Sequence, residues 1–130
     1  MAITETITPS GQREEISSKG YLTSATLRDA ALIALGYHRY ALSDNSPHTL
    51  SDVVGGAFYT IHPTARTVVL YFEAFGVRLR CDGGTVDNTT NGTPRTTGSD
   101  YVYTQMDLTQ IVFANSTAGS PAIVHCEVFE

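Results

Sequence analysis

The sequence predicts a mainly β domain: a small antiparallel β-sandwich or barrel with an N-terminal arm and one short helix. Three observations carry that prediction. Charged residues make up only 16% of the chain, and Thr, Ser, Asn and Gly supply the polar balance, a mixture that suits pleated surfaces and the positive φ of turns. Short apolar runs recur from Tyr37 onward, some with strict period-two alternation, the spacing of a strand with one buried face. Clusters of Gly, Pro, Asn, Asp and Ser separate these runs, which is the punctuation of a sandwich or barrel. At 130 residues the chain has the length of one domain, enough to bury a core without staples.

Residues 1–22 are polar and aperiodic, with a breaker at Pro9-Ser10-Gly11 and a charge cluster at Arg13-Glu14-Glu15. Composition leaves two readings open, a frayed terminus or an arm that orders against a neighbour. In the second, Ile3, Ile7 and Ile16 are the side chains available to fill pockets on a partner. The β domain then occupies 23–130. Within it a short helix is expected at about 25–35: Thr26-Leu27-Arg28-Asp29 has capping-box form, and Leu27, Ala30, Ala31, Ala34 and Leu35 share a helical face that Gly36 would end.

Strands are expected from about residue 37. Tyr37–Leu42 runs into the turn cluster Ser43-Asp44-Asn45-Ser46-Pro47, and Ala57–Ile61 is a second candidate, ending before His62-Pro63. Thr67–Phe75 is apolar on both faces, as a central strand is. Val77-Arg78-Leu79-Arg80-Cys81 alternates cleanly, which puts Arg78 and Arg80 on the side away from the core. A long Thr/Asn/Gly loop, 85–99, precedes three further strands at 100–103, 110–114 and 122–129.

Composition excludes several function classes. The net charge is −5 and the eight basic residues are scattered, so the clustered Lys and Arg of a phosphate-backbone binder are missing and nucleic acid is not an expected partner. No apolar run is long enough to span a bilayer, and the first residues lack the basic-then-apolar form of a signal peptide, so synthesis in a cytoplasm is expected. Cys81 and Cys126 are then expected to be free, buried thiols that behave as small hydrophobes.

No motif selects a catalytic, cofactor or metal site. His38, His48, His62 and His125 do not stand at metal-helix spacing from one another. His125 and Cys126 are neighbours on a strand and point to opposite faces. Asp82-Gly83-Gly84 lacks the alternating oxygen ligands of a calcium loop and reads as a tight turn. Asn88, Asn91 and Asn115 each begin an N-glycosylation triplet, which without a secretory route reflects only Asn- and Thr-rich loops. The nucleophile elbow, phosphate loop and dinucleotide fingerprint are absent. A non-enzymatic structural or binding module is the expected class.

The segment from His48 to Phe129 resembles a group of small β proteins encoded among the structural genes of tailed phages and prophages. The matching features are Thr49-Leu50 before a turn, the strand Thr67–Phe75, then Val77-Arg78-Leu79-Arg80-Cys81-Asp82-Gly83. They continue with a Thr/Pro/Gly loop, Gly98-Ser99-Asp100, Asp107-Leu108-Thr109-Gln110-Ile111-Val112-Phe113-Ala114 and a closing apolar strand. The chain departs from that pattern by an inserted Gly84 and a longer Asn/Thr loop, and residues 1–36 lie outside it.

The resemblance implies a virion component, most readily a capsid decoration or cement protein on the capsid surface, with the major capsid protein and sister subunits as partners. A dimer or trimer is the expected assembly. It implies no catalytic residues. The alternative is a receptor- or glycan-binding module of a tail or fibre, for which Tyr101 and Tyr103 are the candidate aromatic contacts. Arg78 and Arg80 are candidate contacts to an acidic surface on a neighbouring subunit.

Overall fold

A computed structural model describes residues 32–130, and among them Asn115 is the most deeply buried polar side chain, with strand ends from both sheets converging on it. The elements in chain order are β1 (Ala34–Ala41), β2 (His48–Thr49), α1 (Leu50–Val54), α2 (Phe58–Ile61), β3 (Thr67–Glu73), β4 (Val77–Arg80) and β5 (Thr93–Arg95). They are followed by β6 (Asp100–Thr104), a 3-10 turn (Leu108–Gln110), β7 (Val112–Asn115) and β8 (Ile123–Phe129). Two four-stranded sheets form, ordered β1-β8-β3-β6 and β2-β7-β4-β5. Every pairing is antiparallel.

Period-two alternation decides the packing. Val68, Leu70 and Phe72 of β3 and Val124, Cys126 and Val128 of β8 point inward from the first sheet. There they join Val77 and Leu79 of β4 and Phe113 of β7 in a single apolar cluster. Leu50 and Val53 of α1 and Phe58 of α2 close one margin of this core. The mainly β antiparallel sandwich is thus the fold the sequence predicts.

β3 lies between β8 and β6, as expected of a central strand, but its two faces differ. Val68, Leu70 and Phe72 are buried, whereas Tyr71 and Glu73 are exposed. The strand also stops at Glu73, not Phe75, because Ala74 takes a φ of 73°. That left-handed residue turns the chain out of the first sheet and into β4 of the second.

Three expectations are corrected. The arm over 1–22 and most of the helix over 25–35 fall outside the described residues, but Ala34, Leu35 and Gly36, assigned to the helix and its stop, belong to β1. Leu35 packs on the core while Ala34 is exposed, and the pairing of β1 with β8 shifts register across Ala34–Gly36, leaving Leu35 as the extra residue. Ala57–Ile61 is not a strand: Phe58–Ile61 forms a helical turn that buries only Phe58. The Ala57 carbonyl accepts from the amides of Thr60 and Ile61, and the Phe58 amide donates to Ser51 Oγ, so local bonds take up the groups a strand would have paired. Finally, the 85–99 loop contains β5, an edge strand paired with β4, on which Pro94 is tolerated because one side faces no partner.

Cys126 is fully buried and Cys81 partly so, and both are free thiols. Burial raises the pKa of each, that of Cys126 to about 12.

At the end of β7, Asn115 is only 1% exposed. Its Nδ2 donates to the carbonyls of Leu42 and Asp44, and its Oδ1 accepts from the Ala122 amide. Asn115→Ala would strip these main-chain groups of their partner inside the fold, at roughly 1–3 kcal/mol for each buried group. A loss of about 3 kcal/mol or more in urea denaturation is expected. A loss below about 1 kcal/mol would show that the strand ends are held by packing alone.

Candidate functional site

The outer faces of the two sheets are built differently. On the second sheet the chain covers itself. Arg78 and Arg80 lie on the side of β4 away from Val77 and Leu79, as alternation predicts, but neither is a free charge. Arg78 Nη1 donates to the Gly92 carbonyl. Arg80 holds Asp82 through two bonds, Nε to Oδ1 at 2.9 Å and Nη2 to Oδ2 at 2.5 Å, and reaches the Thr85 carbonyl. The Arg80 guanidinium, with the Gly84 amide, keeps the Asp82 pKa down at about 2. Gly84 packs directly under that guanidinium, where a Cβ would collide with it.

The Asp87 carboxylate pins the far end of the loop by accepting from the amides of Thr90, Thr89 and Asn91, which hold its pKa well below the usual carboxylate range. Asn88 Nδ2 then ties the loop to the main chain of Asn45 and Asn115. Val86 is buried beneath.

The first sheet's outer face carries no such covering among the described residues. Register places Arg39, His125, Tyr71 and Asp100 in one row across β1, β8, β3 and β6, with Tyr37, Glu127, Val69 and Val102 in the next. Tyr37 is 55% exposed and Val102 61%. His125 organises the centre of this face. Its Nε2 lies 2.7 Å from Glu73 Oε1, and its Nδ1 2.5 Å from the Tyr37 hydroxyl. A carboxylate only accepts, so Nε2 carries a proton, and in the neutral ring Nδ1 then accepts from the Tyr37 hydroxyl. The Tyr37 ring stacks on the imidazole and the Tyr71 ring meets it edge-on. Tyr37, Val69, Tyr71, Asp100, His125 and Glu127 together line a shallow depression of about 330 Å³.

Chemically, this is a mildly acidic surface with two tyrosines held in fixed orientation. It can offer aromatic faces to apolar or C–H surface, and carboxylates to hydroxyl or amide donors.

The tyrosines singled out from the sequence lie elsewhere. Tyr103 is buried and Tyr101 half-buried, both on the inward side of β6. The Tyr103 hydroxyl accepts from Arg95 Nε, the Tyr101 hydroxyl accepts from the Thr96 amide, and Arg95 sits over the Tyr101 ring. They stitch β6 to the end of β5 and form no exposed aromatic patch. Ile3, Ile7 and Ile16 lie outside the described residues. Sequence reasoning missed Tyr37, Tyr71 and His125, although each has the same parity in its strand as a charged neighbour, Arg39, Glu73 and Glu127 respectively. That parity was the available signal for an outward face.

A histidine pair lies at the sandwich margin. His38 Nε2 and His62 Nε2 are 2.9 Å apart, and His62 is 8% exposed. Among the described residues no group of three or more His, Cys, Asp or Glu is arranged to hold a metal, and no helix is long and apolar enough to cross a membrane. No family model, curated protein or solved structure matches this chain.

Burial, with the nearby His38, holds the His62 pKa below its ordinary 6.5. The unfolded chain therefore takes up a proton that the folded chain resists, so stability is full above about pH 6.5 and falls as pH drops below it. Melting temperatures measured from pH 8 to pH 5 should show this decline, and His62→Gln should flatten it. An equally steep decline in the variant would assign the pH dependence to other groups.

Proposed function

We propose that this chain is a structural protein of a tailed-phage virion, a capsid decoration or cement protein that bridges major capsid subunits at the capsid surface. The observation that carries the reading is where the resembling residues fall. Val77–Gly83, the loop after them and Asp107–Ala114 build one half of the sandwich and seal its outer face with Arg80–Asp82 and Arg78–Gly92 contacts. The resemblance therefore rests on a structural unit and not on scattered side chains.

What supports a bridging role is the opposite sheet, whose outer face presents Tyr37, Tyr71 and Val102 in the open. Aromatic and apolar side chains interleaved with Glu127, His125 and Asp100 in the same two rows make a mixed surface, as apolar as a non-obligate interface needs to be. Many copies on a symmetric shell make weak individual contacts strong together.

Quantitative mass spectrometry of purified particles tests the proposal directly. Copies on the order of hundreds per particle, as multivalent shell binding requires, are the expected result. A dozen or fewer would move the protein to the tail, and its absence from particles would end the virion reading. In co-sedimentation with undecorated shells, Tyr37→Ala combined with Tyr71→Ala should weaken binding without lowering the melting temperature.

A second reading, a receptor- or glycan-binding module, is favoured by the same depression, because tyrosine rings beside Asp100, His125 and Glu127 suit the C–H faces and hydroxyls of a sugar. A glycan array separates the two: saturable binding that Tyr71→Ala abolishes selects the glycan reading, and no binding across the array excludes it.

A further inference from the structure

We propose that His38 and His62 form a two-histidine binding site for a borderline divalent transition-metal ion, with Zn²⁺ as the reference case. The inference is independent of the virion reading, since it rests on the margin of the sandwich and not on its outer face.

Two elements far apart in sequence aim the same atoms at each other. His38 stands on β1, and His62 follows directly after α2. Their Nε2 atoms face each other at 2.9 Å, with ring centroids 5.1 Å apart and planes inclined by 71°. Gly36 permits the approach: a Cβ there would stand 3.0 Å from His62 Cε1 and 3.6 Å from His38 Nε2. Among the described residues, the hydrogen bond of each Nε2 is to the other.

The distance between the two rings matches that of a metal-bound pair. A tetrahedral ion with metal–nitrogen bonds of 2.0–2.1 Å holds two imidazole nitrogens about 3.3 Å apart, and their ring centroids about 5.2 Å apart. The centroids already stand at 5.1 Å, so the rings need not move together or apart. With the Nε2 atoms 2.9 Å apart the rings point nearly head-on at each other, so both must swing well off that axis before their lone pairs meet one ion in place of the shared proton. Imidazole nitrogen suits Zn²⁺, Ni²⁺ and Cu²⁺ over Mg²⁺ or Ca²⁺. No third protein ligand joins the pair among the described residues, so solvent completes the coordination, and His38, only half-buried, leaves a side for water to enter. Such a site binds more weakly than a closed four-ligand structural site.

The experiment uses the full chain labelled with ¹⁵N-histidine and titrated with Zn²⁺ above pH 7. Long-range ¹H–¹⁵N spectra should show the Nε2 signals of His38 and His62 shifting together and saturating at one ion per chain, while those of His48 and His125 stay in place. His38→Gln should weaken Zn²⁺ binding at least tenfold, and His125→Gln should leave it unchanged. Unmoved His38 and His62 signals would overturn the proposal, as would saturation at His48 or His125 instead. Should His38→Gln fail to fold, the wild-type spectra decide alone.

Discussion

The sandwich depends on one buried amide. Asn115 ends β7 where β1 has just left its sheet and β8 has not yet entered it, so three strand ends converge with main-chain groups that no ladder can satisfy. A single Asn has two donors and an acceptor that fit this place. Nδ2 covers the carbonyls of Leu42 and Asp44, and Oδ1 covers the Ala122 amide. A direct bond from the Leu42 amide to the Ala122 carbonyl runs beside it. Its own carbonyl takes Asn88 Nδ2 from the covering loop. The residue thereby links the first sheet, the second sheet and the loop, and no apolar side chain of similar volume could hold those groups without leaving them dry and unpaired. The same burial answers its N-glycosylation triplet: an amide engaged in the core is closed to modification.

From that node follows the inequality of the two outer faces. Because Asn88 must reach Asn115, the segment after Asp82 is drawn across the outer face of the second sheet, and the arginines of β4 become its fastening points. Exposed ion pairs contribute little to folding by themselves, but Arg80 and Asp82 form a two-bond contact that also fixes the Gly83-Gly84 turn. Among the described residues the first sheet has no comparable loop. The covered face is taken up by the fold itself.

The strands were legible wherever alternation was strong, which is why β3, β4 and β8 were read with errors of only a residue or two at their ends. What escaped was set by contacts distant in sequence. Thr49-Leu50-Ser51-Asp52 has the same Thr-x-x-Asp form that placed a helix at Thr26, and here the Asp52 carboxylate does accept from the Thr49 amide. A five-residue helix, however, is too short to show periodicity. Phe58–Ile61 is apolar and aromatic enough to read as a strand, and only the bond from its first amide to Ser51 Oγ and the burial of Phe58 alone decide otherwise. At the candidate site, alternation correctly turned Arg78 and Arg80 outward but could not show that a loop would return to meet them. Tyr101 and Tyr103 were expected at a surface, yet their parity on β6 sets them inward, beside Phe72 and Arg95. His38 and His62 stand 24 positions apart, and no local spacing rule couples a strand residue to one that follows a helix.

The resemblance acquires a different meaning once its residues are placed. Val-Arg-x-Arg-x-Asp-Gly reads, in sequence, like a motif with exposed basic residues ready for an acidic partner. In the fold, both arginines have their donors turned onto the chain's own carbonyls and carboxylate, and Arg78 Nε is buried with no partner of its own. The motif therefore encodes how a long loop is laid against a sheet. A longer loop, such as the Asn/Thr-rich one here, remains compatible with it so long as Asp87 gathers the extra amides.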